Sequence, residues 1–218
     1  ENSNTTKDKF FSIIAHDIKS PFNAIIGFSN LLKENYNIWD DKKILSTIDI
    51  ILQSSENLHE LLDNLLHWSR NQRGIIEFNP QQMNTYELFE KMSSLMHAHL
   101  KSKNITLFSE TEKNLVLFAD KSMVELILRN LISNAIKFTH PGGNIKITAQ
   151  KEGAYIKFEV RDNGTGIPRQ IREKLFSIET SHTTPGTNNE KGTGLGLALC
   201  NDFVRQHGGE IGVKSTVG

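Results

Sequence analysis

The stretch RNLISNAIKF, Arg129 to Phe138, carries two carboxamides four residues apart inside an apolar period. On a helix, side chains four apart share a face, so Asn130 and Asn134 project together. Lys137 follows three residues on, over the same turn. Val124, Leu128, Leu131, Ala135 and Phe138 recur at steps of four and three, giving the helix an adjacent stripe for a core. A core helix that also points two carboxamides and an ammonium sideways is shaped to hold something polar. Carbonyl oxygens suit a hard cation such as magnesium, and lysine suits phosphate.

Downstream, the glycines define that object. Thirteen of the fifteen follow Lys137. YIKFEVR alternates like a strand and leads into Asp162-Asn163-Gly164-Thr165-Gly166-Ile167, so a carboxylate stands at a strand end before a tight turn. An acid there can accept a hydrogen bond from an exocyclic amine, as adenine offers, and Gly164 and Gly166 let the backbone pass close to a flat base. Gly192-Thr193-Gly194-Leu195-Gly196-Leu197 runs directly into the apolar segment ALCNDFVRQ. Amides at a helix start form an anion site suited to phosphates. One such cluster reads as an ordinary turn; three elements in this order describe one nucleotide pocket. Two other nucleotide motifs are excluded by counting. A dinucleotide fingerprint needs glycine at its sixth position, where Leu197 stands, and no Gly-Lys pair exists for a Walker loop.

Upstream, FFSIIAHDIKSPFNAIIGFSNLL places Phe11, Ile14, Ile18, Pro21, Ile25, Phe28 and Leu32 at alternating steps of three and four, an unbroken heptad seam. With Phe11 at position a, His16 falls at f, facing away from the seam and open to act as a nucleophile. Asp17 can orient the imidazole through the ring nitrogen that does not attack. Pro21 lacks an N–H and loosens the helix one turn later.

The asparagine helix and the two glycine turns resemble the ATP-binding domain of the histidine kinase, gyrase, Hsp90 and MutL superfamily. HDIKSP resembles the H box of sensor histidine kinases: His, Glu or Asp, two residues, Thr, Asn or Ser, then Pro. All four boxes occur in family order, across nearly the whole chain. The resemblance implies transfer of the ATP γ-phosphoryl group to His16 and then to an aspartate of a response-regulator receiver domain. It implies magnesium held by Asn134 with Asn130, and phosphate charge neutralised by Lys137. It further implies adenine read by Asp162 beside Gly164 and Gly166, and a phosphate tail cradled around Gly192, Thr193, Gly194, Leu195 and Gly196. Ser20 stands where many members carry Thr or Asn, the position at which a phosphatase function would reside. The phenylalanine-rich box between the glycine turns keeps Phe176 but continues SIETSHTTPGT, and the chain ends at STVG, ahead of the strand that usually closes this domain.

The rest of the sequence sets the frame. Lysines plus arginines balance the acids at 25 each, so no global charge argues for nucleic acid or a lipid surface. The lone cysteine, Cys200, reads as a small buried hydrophobe in a reducing compartment. No apolar run of 18 or more residues is present, so this piece neither spans a membrane nor carries a signal peptide, and the expected location is cytoplasmic, within a longer sensor. Residues 1–74 are expected to form an all-α helical hairpin. Its second helix carries Ile44, Ile48, Ile51, Ser55, Leu58, Leu62 and Leu65, with Asp40 or Asp41 as N-cap. Two helices cannot bury such seams alone, so a second copy is expected to complete a dimeric four-helix bundle, a homodimer. Residues 75–218 are expected to form an α+β sandwich. Strands are predicted at 75–78, 105–109, 115–118, 144–150, 155–161 and 210–214, and helices at 85–101, 121–138, 169–176 and 194–207. The polar stretch between Phe176 and Gly192 reads as a mobile lid. His97 and His99 point to different helix faces, and His59 and His67 have no metal-ligand company.

Overall fold

The computed structural model describes the chain except residues 1, 73–77, 173, 177–183, 189, 191, 193 and 218, and except the side chains of 2–17, 60, 64, 67, 68 and 70–72. It divides into two compact units, Glu1–Arg73 and Gly74–Gly218.

The first unit is a helical hairpin of α1 (Asn2–Asn35) and α2 (Asp41–Gln72), packed along each other. Helix α1 continues through Pro21, which has no N–H to offer the carbonyl of Asp17. Asp40 caps α2: its Oδ1 accepts from the Lys43 N–H at 2.7 Å. Of the α1 seam, Ile18, Pro21, Ile25, Phe28 and Leu32 are all half-buried as expected, while the side chains of Phe11 and Ile14 lie outside the described residues. On α2, Ile44, Ile51, Ser55, Leu58 and Leu65 are half-buried as expected, but the most buried positions are rotated off that line. Thr47 and Leu61 are fully buried between the helices, whereas Ile48 and Leu62, expected inside, are exposed. The hydroxyl of Thr47 tolerates burial because it donates to the Lys43 carbonyl at 2.8 Å. Ile48 and Leu62 instead join Leu45, Leu52 and Leu66 in a second apolar row on the open face of α2, and Phe22 and Ile26 are exposed on α1.

The second unit contains, in order, β1 (Pro80–Asn84), α3 (Thr85–Ser102), β2 (Thr106–Thr111), β3 (Val116–Asp120), α4 (Lys121–Phe138), β4 (Asn144–Glu152), β5 (Tyr155–Asp162), α5 (Arg169–Arg172) and α6 (Gly196–Gln206). Strands β1 and β3 form an antiparallel pair; β2, β4 and β5 form a second sheet, β2–β4 parallel and β4–β5 antiparallel. Strand β4 alternates: Ile145, Ile147 and Ala149 are buried, while Lys146 and Gln150 face water. Against that buried face pack Leu88, Phe89, Met92 and Met96 of α3 and Val124, Leu128, Ile132 and Ala135 of α4. Each of the larger side chains contributes about 1.5–3 kcal/mol on burial. The result is the expected α+β sandwich. Helix α6 packs on α4 through buried Ala198, Leu199, Cys200 and Phe203. Burial pushes the Cys200 thiol up to about 12, which makes it an inert hydrophobe.

Three expectations change. Strand β1 lies at Pro80–Asn84. Of the strand expected at 75–78, residues 75–77 lie outside the described residues and Phe78 is in no strand. The helix expected to reach Phe176 ends at Arg172 as the single turn α5. The strand expected at 210–214 does not form. Its neighbourhood offers isolated partners and no ladder: Ser215 Oγ accepts from the Ile167 N–H at 2.9 Å, and the Ser215 carbonyl accepts from Arg172 Nη1 at 2.8 Å.

Candidate functional site

Helix α4 is held at both ends by hydrogen bonds the sequence only half announces. At its start Asp120 is the N-cap, accepting from the Met123 N–H at 3.1 Å, from Ser122 Oγ at 2.6 Å and from the Asn79 N–H at 3.0 Å. Burial alone would raise this carboxyl; the bonds from Ser122, Met123 and Asn79 outweigh it and hold it below the ordinary carboxylate value. His207 ties the far end of α6 to the same point. Its Nε2 accepts from the Asp120 N–H at 3.0 Å, so Nδ1 carries the proton donated to the Phe203 carbonyl at 2.7 Å.

At the other end, the last four carbonyls of a helix lack internal partners. In α4 every one is taken. The Ala135 carbonyl accepts from the Thr139 N–H and the Ile136 carbonyl from Lys103 Nζ, at 3.0 and 2.8 Å. Lys137 accepts from Lys103 Nζ and from the Thr187 N–H, both at 3.0 Å, and Phe138 from the Thr165 N–H at 3.1 Å. Three separate segments, the end of α3, the turn after β5 and the segment before α6, thus dock on one helix end.

The motif residues sit along this same helix. Asn130 is 6% exposed; its Nδ2 donates to the Leu126 carbonyl at 3.0 Å, which leaves Oδ1 directed at Gly196. Asn134, one turn on, is half-buried. Lys137 Nζ lies 4.7 Å over the Phe138 ring and 2.7 Å from where a Cβ of Gly192 would stand. A Cβ at Gly164 would strike the Phe138 carbonyl, and one at Gly196 would strike Asn130 Oδ1. The two glycine turns therefore press on α4 at successive levels, beside Asn130, Lys137 and Phe138. Asp162, the last residue of β5, is exposed, and its Oδ1 accepts from the Gly164 N–H at 2.9 Å. Asn163 fixes the turn from the other side, accepting from the Asn144 N–H at 2.8 Å. Gly166 and Gly194 both adopt φ near +70°, a region that favours glycine. Leu195 precedes α6 and no side chain caps that helix start. Thr193 lies outside the described residues. A carboxamide oxygen, an ammonium and a helix start on one face can hold a polyanion together with a hard cation. Among the described residues no group of three or more His, Cys, Asp or Glu could hold a metal by itself.

In the first unit, His16 and Asp17 lie on α1 one turn before Ser20, their side chains outside the described residues; Ser20 is half-buried. No helix among the described residues is long and apolar enough to cross a membrane.

The residues that sequence reasoning missed are Lys103, Thr187 and Glu190. Lys103 ends a run, KSK, that looks like a solvated helix end, and Thr187 and Glu190 lie inside the polar stretch read as a lid. That stretch is described at 184–188 and 190, where it is hydrogen-bonded to α4.

A fold of this kind, with asparagines on α4 facing two glycine turns, defines an ATPase-type domain behind a helical hairpin. The family of histidine kinase-, DNA gyrase B- and HSP90-like ATPases matches residues 119–218, and the His kinase A phosphoacceptor domain matches residues 6–74. The catalytic domain of histidine kinase ThkA is 32% identical, with a TM-score of 0.52 over 60% of this chain and 82% of that one. The chain belongs to the histidine kinases. Two curated relatives run its whole length. An uncharacterised sensor-like histidine kinase of Rhizobium meliloti is 29% identical over 220 residues, and the circadian input-output histidine kinase CikA of Synechococcus elongatus is 31% identical over 220. The match covers 100% and 99% of this chain, but only 42% and 29% of theirs. ThkA in complex with the response regulator protein TrrA shares the fold over 95% of this chain and 57% of that one, at 24% identity and a TM-score of 0.69.

Proposed function

We propose that this chain is the catalytic core of a sensor histidine kinase that phosphorylates itself on His16 from ATP. The observation that carries the reading is that both glycine turns pack on α4, the second against Asn130 and Lys137 and the first against the Phe138 carbonyl. The neutral His16 imidazole attacks the γ-phosphorus with the lone pair of one ring nitrogen; the N–P bond forms as the bond to the β-phosphate oxygen breaks, and ADP leaves. The other ring nitrogen keeps its proton, held by Asp17, which compensates the charge developing on the ring. Lys137 and the amides around Gly192, Thr193, Gly194, Leu195 and Gly196 neutralise the phosphate tail, and Asp162, with the Gly164–Gly166 turn, reads the adenine amine. Asn134 and Asn130 fit magnesium, because carboxamide oxygens suit a hard cation and the Asn130 Oδ1 is left free of its own Nδ2 contact. That ion would supply charge neutralisation at the phosphates. Most of the catalysis is positioning and electrostatics.

His16 then passes the phosphoryl group to an aspartate of a response-regulator receiver domain, the partner class seen with ThkA. Ser20, one turn after His16, is the position for a phosphatase activity. The domains run over residues 1–74 and 75–218. The protein acts in the cytoplasm as a homodimer, because the exposed row Leu45, Ile48, Leu52, Leu62 and Leu66 needs a cover that the hairpin does not supply. Incubation with γ-labelled ATP tests the reading: the bound label is acid-labile and alkali-stable if the acceptor is a histidine. Acid-stable label, or none, refutes it.

A further inference from the structure

The site's least expected member is Lys103, which lies outside every motif. It is 5% exposed, yet its ammonium is fully occupied. Four oxygens surround Nζ: the carbonyls of Ile136 and Lys137 at 2.8 and 3.0 Å, Thr187 Oγ1 at 2.7 Å and Glu190 Oε1 at 2.7 Å. Two of these belong to the end of α4, where the helix dipole favours a cation. The other two belong to the segment that leads into Gly192. Thr187 Oγ1 in turn donates to the Thr139 carbonyl at 2.8 Å, and the Gly186 N–H bonds to the Glu190 carbonyl at 2.9 Å. Glu190 uses both carboxylate oxygens as acceptors, Oε1 toward Lys103 and Oε2 toward the Asn188 N–H at 2.8 Å. A buried ammonium with its partners removed costs several kcal/mol, so the lysine and the segment specify each other's position.

We propose that Lys103 is a positioning residue for the nucleotide site: with Thr187 and Glu190 it latches the base of the segment before Gly192 onto the last turn of α4, and so fixes Gly192 beside the Lys137 ammonium. This rests on the ATP reading above, which places the phosphates between those two residues. The polar stretch after Phe176 thus has a foot at 186–188 and 190, held by hydrogen bonds two residues short of the phosphate turn. Burial alone would raise the Glu190 carboxyl, yet the Lys103 bond and the Asn188 amide hold it below the usual value, so it meets Lys103 as a carboxylate at neutral pH.

Glu190→Gln probes this in the full chain. Both partners of the side chain are donors, and a carboxamide offers only one acceptor oxygen, so one contact must fail while the fold keeps its core. Without nucleotide, the amides of Gly186, Thr187 and Asn188 are expected to exchange hydrogen roughly tenfold faster, with β4 and β5 unchanged. With ATP, KM is expected to rise by about tenfold while kcat stays within about twofold, the pattern of lost uniform binding. Lys103→Met shows the same signature more strongly, and Lys103→Arg restores part of it; if Lys103→Met does not fold, Glu190→Gln alone decides. Unchanged exchange at 186–188 in Glu190→Gln overturns the latch, and a kcat loss without a KM change overturns its positioning role. Failure of the ATP reading is told apart by the wild-type chain: it then binds no ATP, although the nucleotide-free exchange difference persists.

Discussion

The two units of this chain bury their apolar residues to very different extents. In the second unit, the sandwich closes on itself: Phe89, Met92, Leu128, Ile132, Ile145 and Ile147 are all but sealed from water. In the hairpin, Leu61 is the one fully buried hydrophobic among the described residues, while Leu45 is 61% and Leu52 56% exposed. The same heptad logic that joins α1 to α2 has thus been used twice on α2, once inward and once outward. One unit buries its own apolar faces; the other leaves an apolar row in water. A self-contained nucleotide domain and an unfinished acceptor domain can be attacked separately, and each attack should spare the other unit.

The largest effect is expected from His16→Gln, which removes the acceptor. Incorporation of acid-labile label falls to background, while ATP affinity, measured by titration, stays within about twofold of the wild type because the pocket lies wholly in the second unit. Retained acid-labile label would move the acceptor elsewhere. Next comes the outward row. Ile48→Lys with Leu52→Lys places charge where each apolar side chain would contribute roughly 2 kcal/mol on being covered, and both copies carry the change. Sedimentation at micromolar concentration should show a monomer with no autophosphorylation, and the second unit should still bind ATP. A wild-type monomer with full activity would remove the dimer. These positions test the open face; Ile25 does not, since it is half-buried within the hairpin.

Inside the second unit the effects are smaller and leave the hairpin untouched. Asn134→Asp adds a charge beside the phosphates and should lower kcat/KM by roughly 2–4 kcal/mol, with normal turnover counting against the assignment. Gly196→Ala forces a methyl group onto Asn130 Oδ1. It should lower the thermal stability of the isolated second unit by about 1–3 kcal/mol, and an unchanged melting temperature would show that α6 can move away freely. Smallest is the acid response of Asp120. Its folded value is depressed below 3.8, so its contribution is complete above that pH and is lost as the pH falls through the folded value. Asp120→Asn should flatten the acid limb of the second unit's stability curve; asparagine caps as well as aspartate, so the cost at neutral pH, about 1 kcal/mol, comes from the Asn79 N–H left without its acceptor.

Much of this was legible in the sequence, and the exceptions share a cause. Helices α3 and α4 and strands β4 and β5 follow their hydrophobic periods because each rests one face on the common core. Strand β1, PQQMN, shows no such period: as half of a two-stranded ribbon it keeps only part of itself inside, and Pro80 can begin it because an edge position needs no N–H from it. The segment at 210–214 alternates in sequence and in burial, yet it joins no ladder although β5 leaves one edge of its sheet open; alternation reports a half-buried face and does not supply a pairing partner. The rotation of the α2 seam was hidden because Thr47 looks polar and Ile48 does not; a hydroxyl bonded to its own helix can be buried at little cost. The asparagines and glycines of the candidate site stood out as unusual types at regular places. Lys103, Thr187 and Glu190 did not, since a buried ion pair between residues 87 positions apart leaves no local trace.

The carbonyls at the end of α4 make that helix a ruler. Each residue turns a helix by about 100° and lengthens it by about 1.5 Å, so adding or removing one residue between Asn130 and Phe138 would swing Asn130 away from Gly196 or carry the last carbonyls away from Lys103, Thr165 and Thr187. No neighbouring adjustment could restore both ends together. Length changes should almost never be tolerated in the eight-step interval of α4. Among descendants of this sequence, the spacing from Asn130 to Phe138 should then outlast the identity of most residues within it.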